Sequence, residues 1–229
     1  MKDILEGNRR WADEQLAKDP EFFKKQLAGQ SPRYLYIGCA DSRVPAALVT
    51  GTGPGEVFTH RNIANLVVPG DLSMLSVLQY AVEVLEVKGV MVVGHYGCGG
   101  VAAAASNHQY GLIDSWLSNI RDVIRLHQDE LNAIDDQAKR LRRLVQLNVI
   151  EQVRHLAQTN VIQNAYKRPN PPTLHGLVYD IGTGLLEELD VPADGQDELS
   201  ALYRRDHFAL TAGSRVLLEQ LGQELQKKA

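Results

Sequence analysis

Gly89-Val-Met-Val-Val93 is an unbroken apolar run, and it ends in Gly94-His-Tyr-Gly-Cys-Gly-Gly100. A strand without polar alternation has both faces covered, which is the condition of a strand inside a parallel sheet. Tyr34-Leu-Tyr-Ile-Gly38 has the same character and breaks into Cys39-Ala40-Asp41-Ser42-Arg43. A thiol, a carboxylate and a guanidinium at the end of a buried strand lose hydration. The carboxylate or thiolate then needs a cation or a metal to offset that loss.

The segments around these runs set the architecture. Ile4, Leu5, Trp11, Leu16, Phe22, Phe23 and Leu27 recur at helical spacing over residues 3 to about 28, with Pro20 restarting the pattern. Residues 1–30 read as a helical arm that packs on a neighbouring subunit. Gly29 to Pro32 is a turn, a strand covers about 33–38, and Pro45 to Val49 suits a short helix. Gly51-Thr-Gly-Pro-Gly55 lacks the Lys-Ser/Thr ending and the following helix that a phosphate loop needs. Glu56 to His60 reads as a second short strand, and Arg61 to Asn65 as a polar turn. Asp71 is an N-cap for a helix to about Leu85. The small residues Val101 to Ala105 fit a tightly packed helix start after Cys98. Leu112 to Arg168 is helical almost throughout, its Lys139–Arg143 charges forming a solvated face, and Asn170-Pro-Pro172 stops it. Thr173 to Ile181 is a strand, Gly182 to Gly184 a turn, Leu185 to Leu189 a further strand, and a last helix spans about 199–226.

Strands separated by helices give an α/β fold with a mainly parallel central sheet flanked by helices, an N-terminal helical arm and C-terminal helices. The 229 residues show no repeat or linker, so 1–229 reads as a single domain with room for a sizeable core. A net charge of −4 gives no basic footprint for nucleic acid. No run of 18 apolar residues offers a membrane span, and Met1 to Arg10 lacks the apolar stretch of a signal peptide. With two cysteines only, Cys39 and Cys98, the expected location is the cytoplasm.

Ligands of open parallel sheets bind beyond the carboxyl ends of the strands. There one apolar strand delivers Cys39 and Asp41, and the other His95 and Cys98. Two thiolates and an imidazole form a set that zinc favours, leaving a fourth tetrahedral position. Taken singly, a cysteine beside a strand is a small buried hydrophobe, and His95 a core histidine. A disulfide belongs to an exported chain, a redox pair lacks the Cys-x-x-Cys spacing, and a Cys–His nucleophilic dyad would need no metal.

Cys39-Ala-Asp-Ser-Arg43, Arg61-Asn-Ile-Ala-Asn65 and Gly94-His-Tyr-Gly-Cys-Gly-Gly100 together resemble the signature segments of β-class carbonic anhydrases, in order and separation. Ala40 stands where that family usually has Ser. The resemblance implies one Zn2+ per chain, held by Cys39, His95 and Cys98. It also implies a lyase that reversibly hydrates carbon dioxide to bicarbonate and a proton through zinc-bound hydroxide. It implies catalytic roles for Asp41 and Arg43, the carboxylate pairing with Arg43 in an active state and swinging onto zinc as fourth ligand in an inactive one. Val44, Phe58, Tyr80 and Gly99 match substrate-pocket positions, and Gln30 matches a glutamine that reaches the site of the neighbouring subunit. A homodimer is then the minimum unit, and a homotetramer is what bacterial-type members imply. The bacterial, bicarbonate-regulated subgroup is similar in carrying Val44, Arg61 and Tyr179 around an allosteric bicarbonate pocket. Tyr36 stands where that subgroup has Trp, so the indole donor is lost. Two alternatives use the same fold: a non-catalytic zinc or bicarbonate sensor, and a hydrolase of a related molecule such as carbon disulfide.

Overall fold

Strands β1 (Tyr34–Cys39), β2 (Val57–Asn62), β3 (Gly89–His95), β4 (Thr173–Asp180) and β5 (Leu185–Leu189) form one sheet in the order β2-β1-β3-β4-β5. The first four are mutually parallel, and β5 returns antiparallel on β4. This is a computed structural model, and it describes residues 1–191. The helix expected over about 199–226 lies outside the described residues.

The apolar runs dictate the centre of the sheet. After Tyr34 every residue of β1 is buried, and in β3 only Met91 is partly exposed. The connection from β1 runs through α3 (Ala46–Thr50) to β2 on one side. The connection from β2 through α4 (Leu72–Gln79) then returns to β3 on the other side of β1. The winding direction therefore reverses between β1 and β3, and the crevice beyond their carboxyl ends is where such sheets hold ligands.

Helices α5 (Gly99–Ala104), α6 (Ile113–Leu126), α7 (Gln128–Asn132), α8 (Gln137–Gln158) and α9 (Asn160–Ala165) connect β3 to β4. The long α8 packs on β3 and β4, burying Val145, Val149, Val153 and Leu156 in the main core with Leu35, Ile37, Val90, Val92 and Val178. Contact is close at Gly94, where an added Cβ would stand 2.6 Å from Val149 Cγ2. Gly94→Ala should therefore cost about 1–3 kcal/mol of stability by overpacking, measurable as a lower urea midpoint at unchanged slope.

Local chemistry divides two segments whose periodicity looks continuous. Asp71 caps α4 by accepting from the N–H groups of Ser73 and Met74, at 3.0 and 3.2 Å. The helix then widens into a π-turn over Tyr80–Val84, closed by Leu85 N–H donating to the Tyr80 carbonyl, instead of running regularly to Leu85. The block from Leu112 to Arg168 is four helices. Asp136 starts α8 by accepting from Lys139 N–H, and Thr159 starts α9 by accepting from Ile162 N–H. Capping side chains inside an apolar repeat break a helix without disturbing its period.

The arm is α1 (Lys2–Lys18) and α2 (Phe22–Leu27), and neither contributes a buried residue. Trp11, Phe22 and Phe23 meet edge to face, while Ile4 and Leu5 remain exposed. Among the described residues no helix is long and apolar enough to cross a membrane.

Candidate metal centre

Cys39 is the last residue of β1 and His95 the last of β3, so their side chains meet at the point where the winding reverses. Gly97 turns the chain through a left-handed conformation at φ 70°, and Cys98 follows immediately before α5. One ligand atom each from Cys39, His95 and Cys98 lies within 4.8 Å of the others, and all three residues are buried. The sulfurs are 3.9 Å apart. Two thiolates on a tetrahedral zinc, with Zn–S near 2.3 Å, stand about 3.8 Å apart.

The imidazole is set for the same purpose. His95 Nδ1 lies 3.1 Å from the Tyr96 carbonyl, which only accepts, so Nδ1 carries the proton and Nε2 the lone pair. Nε2 has no hydrogen-bond partner although His95 is fully buried. A buried lone pair left open beside two sulfurs fits a metal better than it fits a packed core. The thiols agree. Hydrogen bonding from Cys98 holds the Cys39 thiol well below its ordinary range, with the Ala64 and Asp41 backbones assisting. The same contact pushes Cys98 far up. Two thiolates so close share one proton unless a cation joins them.

Asp41 lies beside this group, its Oδ2 3.7 Å from His95 Nε2. Arg43 grips it with a fork, Nε donating to Oδ1 at 2.9 Å and Nη2 to Oδ2 at 2.7 Å. The Arg43 backbone N–H adds a third bond to Oδ1 at 2.9 Å. The Arg43 side chain, then its backbone N–H, outweigh burial and hold the Asp41 carboxyl well below the usual carboxylate range. Asp41 is thus ionised at neutral pH and stands between a guanidinium and the metal ligands.

Arg61 braces the backbone beneath, with Nε donating to the Cys39 carbonyl at 2.8 Å and Nη2 to the Asp41 carbonyl at 2.5 Å. It pairs in register with Gly38, against which the Tyr36 ring lies. Tyr36 is fully buried, its hydroxyl has no hydrogen-bond partner, and burial pushes the phenol up to about 12. Val44 is fully buried, and Tyr179 pairs in register with His95, its carbonyl accepting from Tyr96 N–H.

The pocket residues divide into two groups. Gly99 adjoins Cys98, and the Val44 N–H donates to the Asp41 carbonyl at 3.1 Å. Phe58 and Tyr80 face each other with ring centroids 5.8 Å apart. Phe58 pairs in register with Leu35, however, four positions or about 13 Å before Cys39 along the strand. Gln30 precedes β1 and lines a surface groove with Lys25, Gln26, Gly55 and Glu56. One chain therefore does not bring Gln30, Phe58 and Tyr80 to its own metal ligands. The reading of Leu112–Arg168 as generic helix also passes over Asn148 and Gln152, which reach the loop behind Cys39. Their signal is polar residues four apart inside the apolar stripe of α8.

A family model described as "Carbonic anhydrase" matches residues 34–186. A carbonic anhydrase of Emericella nidulans is 52% identical over 192 residues, covering 84% of each chain. A crystal structure of a β-carbonic anhydrase from Aspergillus fumigatus superposes with a TM-score of 0.78 at 41% identity, covering 82% of this chain and 90% of that one. A tetrameric β-carbonic anhydrase from Sordaria macrospora gives 0.79 at 40% identity, over 82% and 96%.

Proposed function

The chain belongs to the β-class carbonic anhydrase family, and on that footing we propose how its own residues carry out the zinc-dependent hydration of carbon dioxide. Cys39, His95 and Cys98 hold the metal, and the open lone pair of His95 Nε2 beside two sulfurs is the observation that carries this assignment. Bound zinc lowers the pKa of water from about 15.7 towards 7, which makes a nucleophile available near neutrality.

Asp41, 3.7 Å from His95 Nε2, would lie beside a metal held by the three ligands. Ionised and held by Arg43, it accepts a hydrogen bond there and orients the attacking oxygen towards the substrate. Arg43 also keeps the carboxylate from taking the position itself. Carbon dioxide has no charge to recognise, so buried Val44 and the aromatic pair Phe58 and Tyr80 suit it better than a charged cleft. Gln30, Phe58 and Tyr80 lie far from their own Cys39, which supports a pocket completed across a subunit boundary. A homodimer is then the minimum unit, with the exposed arm as its covering element. A pairing of dimers would give the tetramer that describes the Sordaria macrospora relative.

The same carboxylate is the switch. A rotation of its side chain away from Arg43 would let Asp41 take a ligand position on a bound metal and close the site. Lowering the pH would favour the closed arrangement, in which Asp41 leaves Arg43. Arg61, which holds the carbonyls of Cys39 and Asp41, links this rotation to the face occupied by Tyr36. Together with Val44 and Tyr179, that face is the candidate for bicarbonate control, Tyr36 offering a phenol hydroxyl in place of an indole N–H.

Zinc content and stopped-flow hydration across pH test the scheme together. The expected result is one zinc per chain, activity at alkaline pH, and a steep, cooperative loss below about pH 8. A gradual one-proton profile would overturn the switch and leave the metal site standing. A zinc-loaded chain inactive at both neutral and alkaline pH would overturn the catalytic assignment.

A further inference from the structure

The segment behind Cys39 is held in a conformation that its own sequence does not favour. Ala64 and Asn65 both adopt left-handed backbone angles, φ 63° and 52°, and both are buried. Asn adopts such angles readily, but Ala64 has neither a glycine's freedom nor a polar side chain, so its conformation persists only where the surroundings impose it. The Asn62 side chain brackets the kink, donating to the Leu66 carbonyl at 2.7 Å and accepting from Leu66 N–H at 2.8 Å. The rest of the support comes from distant helices. Trp116 Nε1 of α6 donates to the Ile63 carbonyl at 2.9 Å. On α8, Asn148 Nδ2 donates to the Ala64 carbonyl at 3.1 Å, and Gln152 Oε1 accepts from Val67 N–H at 2.7 Å. Gln152 Nε2 in turn donates to Asn148 Oδ1 at 3.2 Å, which fixes the orientation of the Asn148 amide.

The outcome of these restraints is one bond. The Ala64 N–H donates to Cys39 Sγ at 3.4 Å. At Gly100 an added Cβ would stand 2.9 Å from Ile63 Cγ2 and 3.3 Å from Ala64 Cβ, so the kink lies directly against the start of α5 after Cys98. Asn148 is 1% exposed and Gln152 fully buried, and polar side chains buried so deeply are retained where their bonds fix a geometry.

We propose that Asn148 is a positioning residue of the metal centre, holding the left-handed Ala64–Asn65 kink so that the Ala64 N–H donates to the Cys39 sulfur. The inference rests on Cys39 being a metal ligand and goes further, assigning what tunes that ligand. A hydrogen bond to a thiolate withdraws electron density from sulfur and fixes its direction, which adjusts both the affinity for the metal and its acidity. Gln152 acts one step behind by holding the Asn148 amide.

The test uses the zinc protein and its cobalt-substituted form, with Asn148→Leu, Asn148→Ala, and each combined with Ala64→Gly. Asn148→Ala loses the donor to Ala64 without adding bulk or burying a charge, so it serves where the leucine variant does not fold. Loss of the donor should move the thiolate-to-cobalt charge-transfer band to longer wavelength and lower zinc affinity about 10- to 100-fold in chelator competition. Ala64→Gly should restore part of both, because glycine adopts the left-handed angles unaided. A variant less stable to urea but unchanged in cobalt spectrum and zinc affinity would show Asn148 to be a packing residue and overturn the proposal. So would an altered spectrum that Ala64→Gly leaves untouched. If the unsubstituted protein fails to take up cobalt, the metal assignment itself falls, and the two failures are distinct.

Discussion

Cys98→Ser should leave a chain that purifies without zinc and has lost about 10³-fold or more of its hydration rate, since the water is no longer acidified. The serine hydroxyl matches the thiol in shape, but it does not ionise near neutrality and is a poor zinc ligand. The substitution leaves His95 Nε2 and Cys39 as two ligands where three are needed. It also removes the group that hydrogen-bonds Cys39, so the remaining thiol should titrate closer to its ordinary range than it does now. Zinc content and stopped-flow rate are the primary readouts. The melting temperature should also fall relative to the zinc-loaded parent and match that of the chelated parent, because only the native state gains from metal binding. A Cys98→Ser protein with full zinc and full activity would remove Cys98 from the ligand set.

Asp41→Asn should give the opposite combination, metal kept and catalysis lost. The three ligands remain intact, so zinc per chain should match the parent. Asn cannot accept the full Arg43 fork, and its amide does not hold a hydrogen bond from the nucleophile as a carboxylate does. A fall of about 10²–10⁴-fold in rate is expected, the usual range for removing a positioned proton-handling group. Stability should change by no more than about 1 kcal/mol, because Arg43 is more than half exposed and solvent screens the pair. Arg43→Ala completes the comparison. With no guanidinium to hold it, Asp41 should move onto the metal, giving an inactive protein from which a chelator removes zinc more slowly than from the parent. Loss of zinc in Asp41→Asn would instead make Asp41 a structural ligand.

The centre of the fold is legible because its determinants are local and repeated. Two unbroken apolar runs specify β1 and β3, and Asp71 marks the start of α4. The candidate ligands are legible for a related reason, since Cys39, His95 and Cys98 each end or follow a strand that can be read. Less is visible where structure depends on distant partners. Nothing in Arg61-Asn62-Ile63-Ala64-Asn65 announces two left-handed residues, because the side chains that impose them, Asn148, Gln152 and Trp116, arrive from α8 and α6. The π-turn at Tyr80 is hidden within a helical period, and the Asp136 and Thr159 caps within a longer one. Phe58 and Tyr80 have the chemistry of a substrate pocket, yet the register of β1 with β2 sets Phe58, and the Tyr80 ring against it, at the level of Leu35, about 13 Å before Cys39 along the strand. Register is a property of pairing, and the residues alone do not display it.

The placement of ligands on two strands also orders events in time. Cys39 and Cys98 are 59 residues apart in sequence, and β1 and β3 are neighbours only because the chain from β2 passes to the far side. The three ligand atoms converge once that non-local pairing exists and not before. Pairings of this kind form late and slowly compared with helices. The complete three-ligand set is therefore assembled only once the sheet has paired β1 with β3.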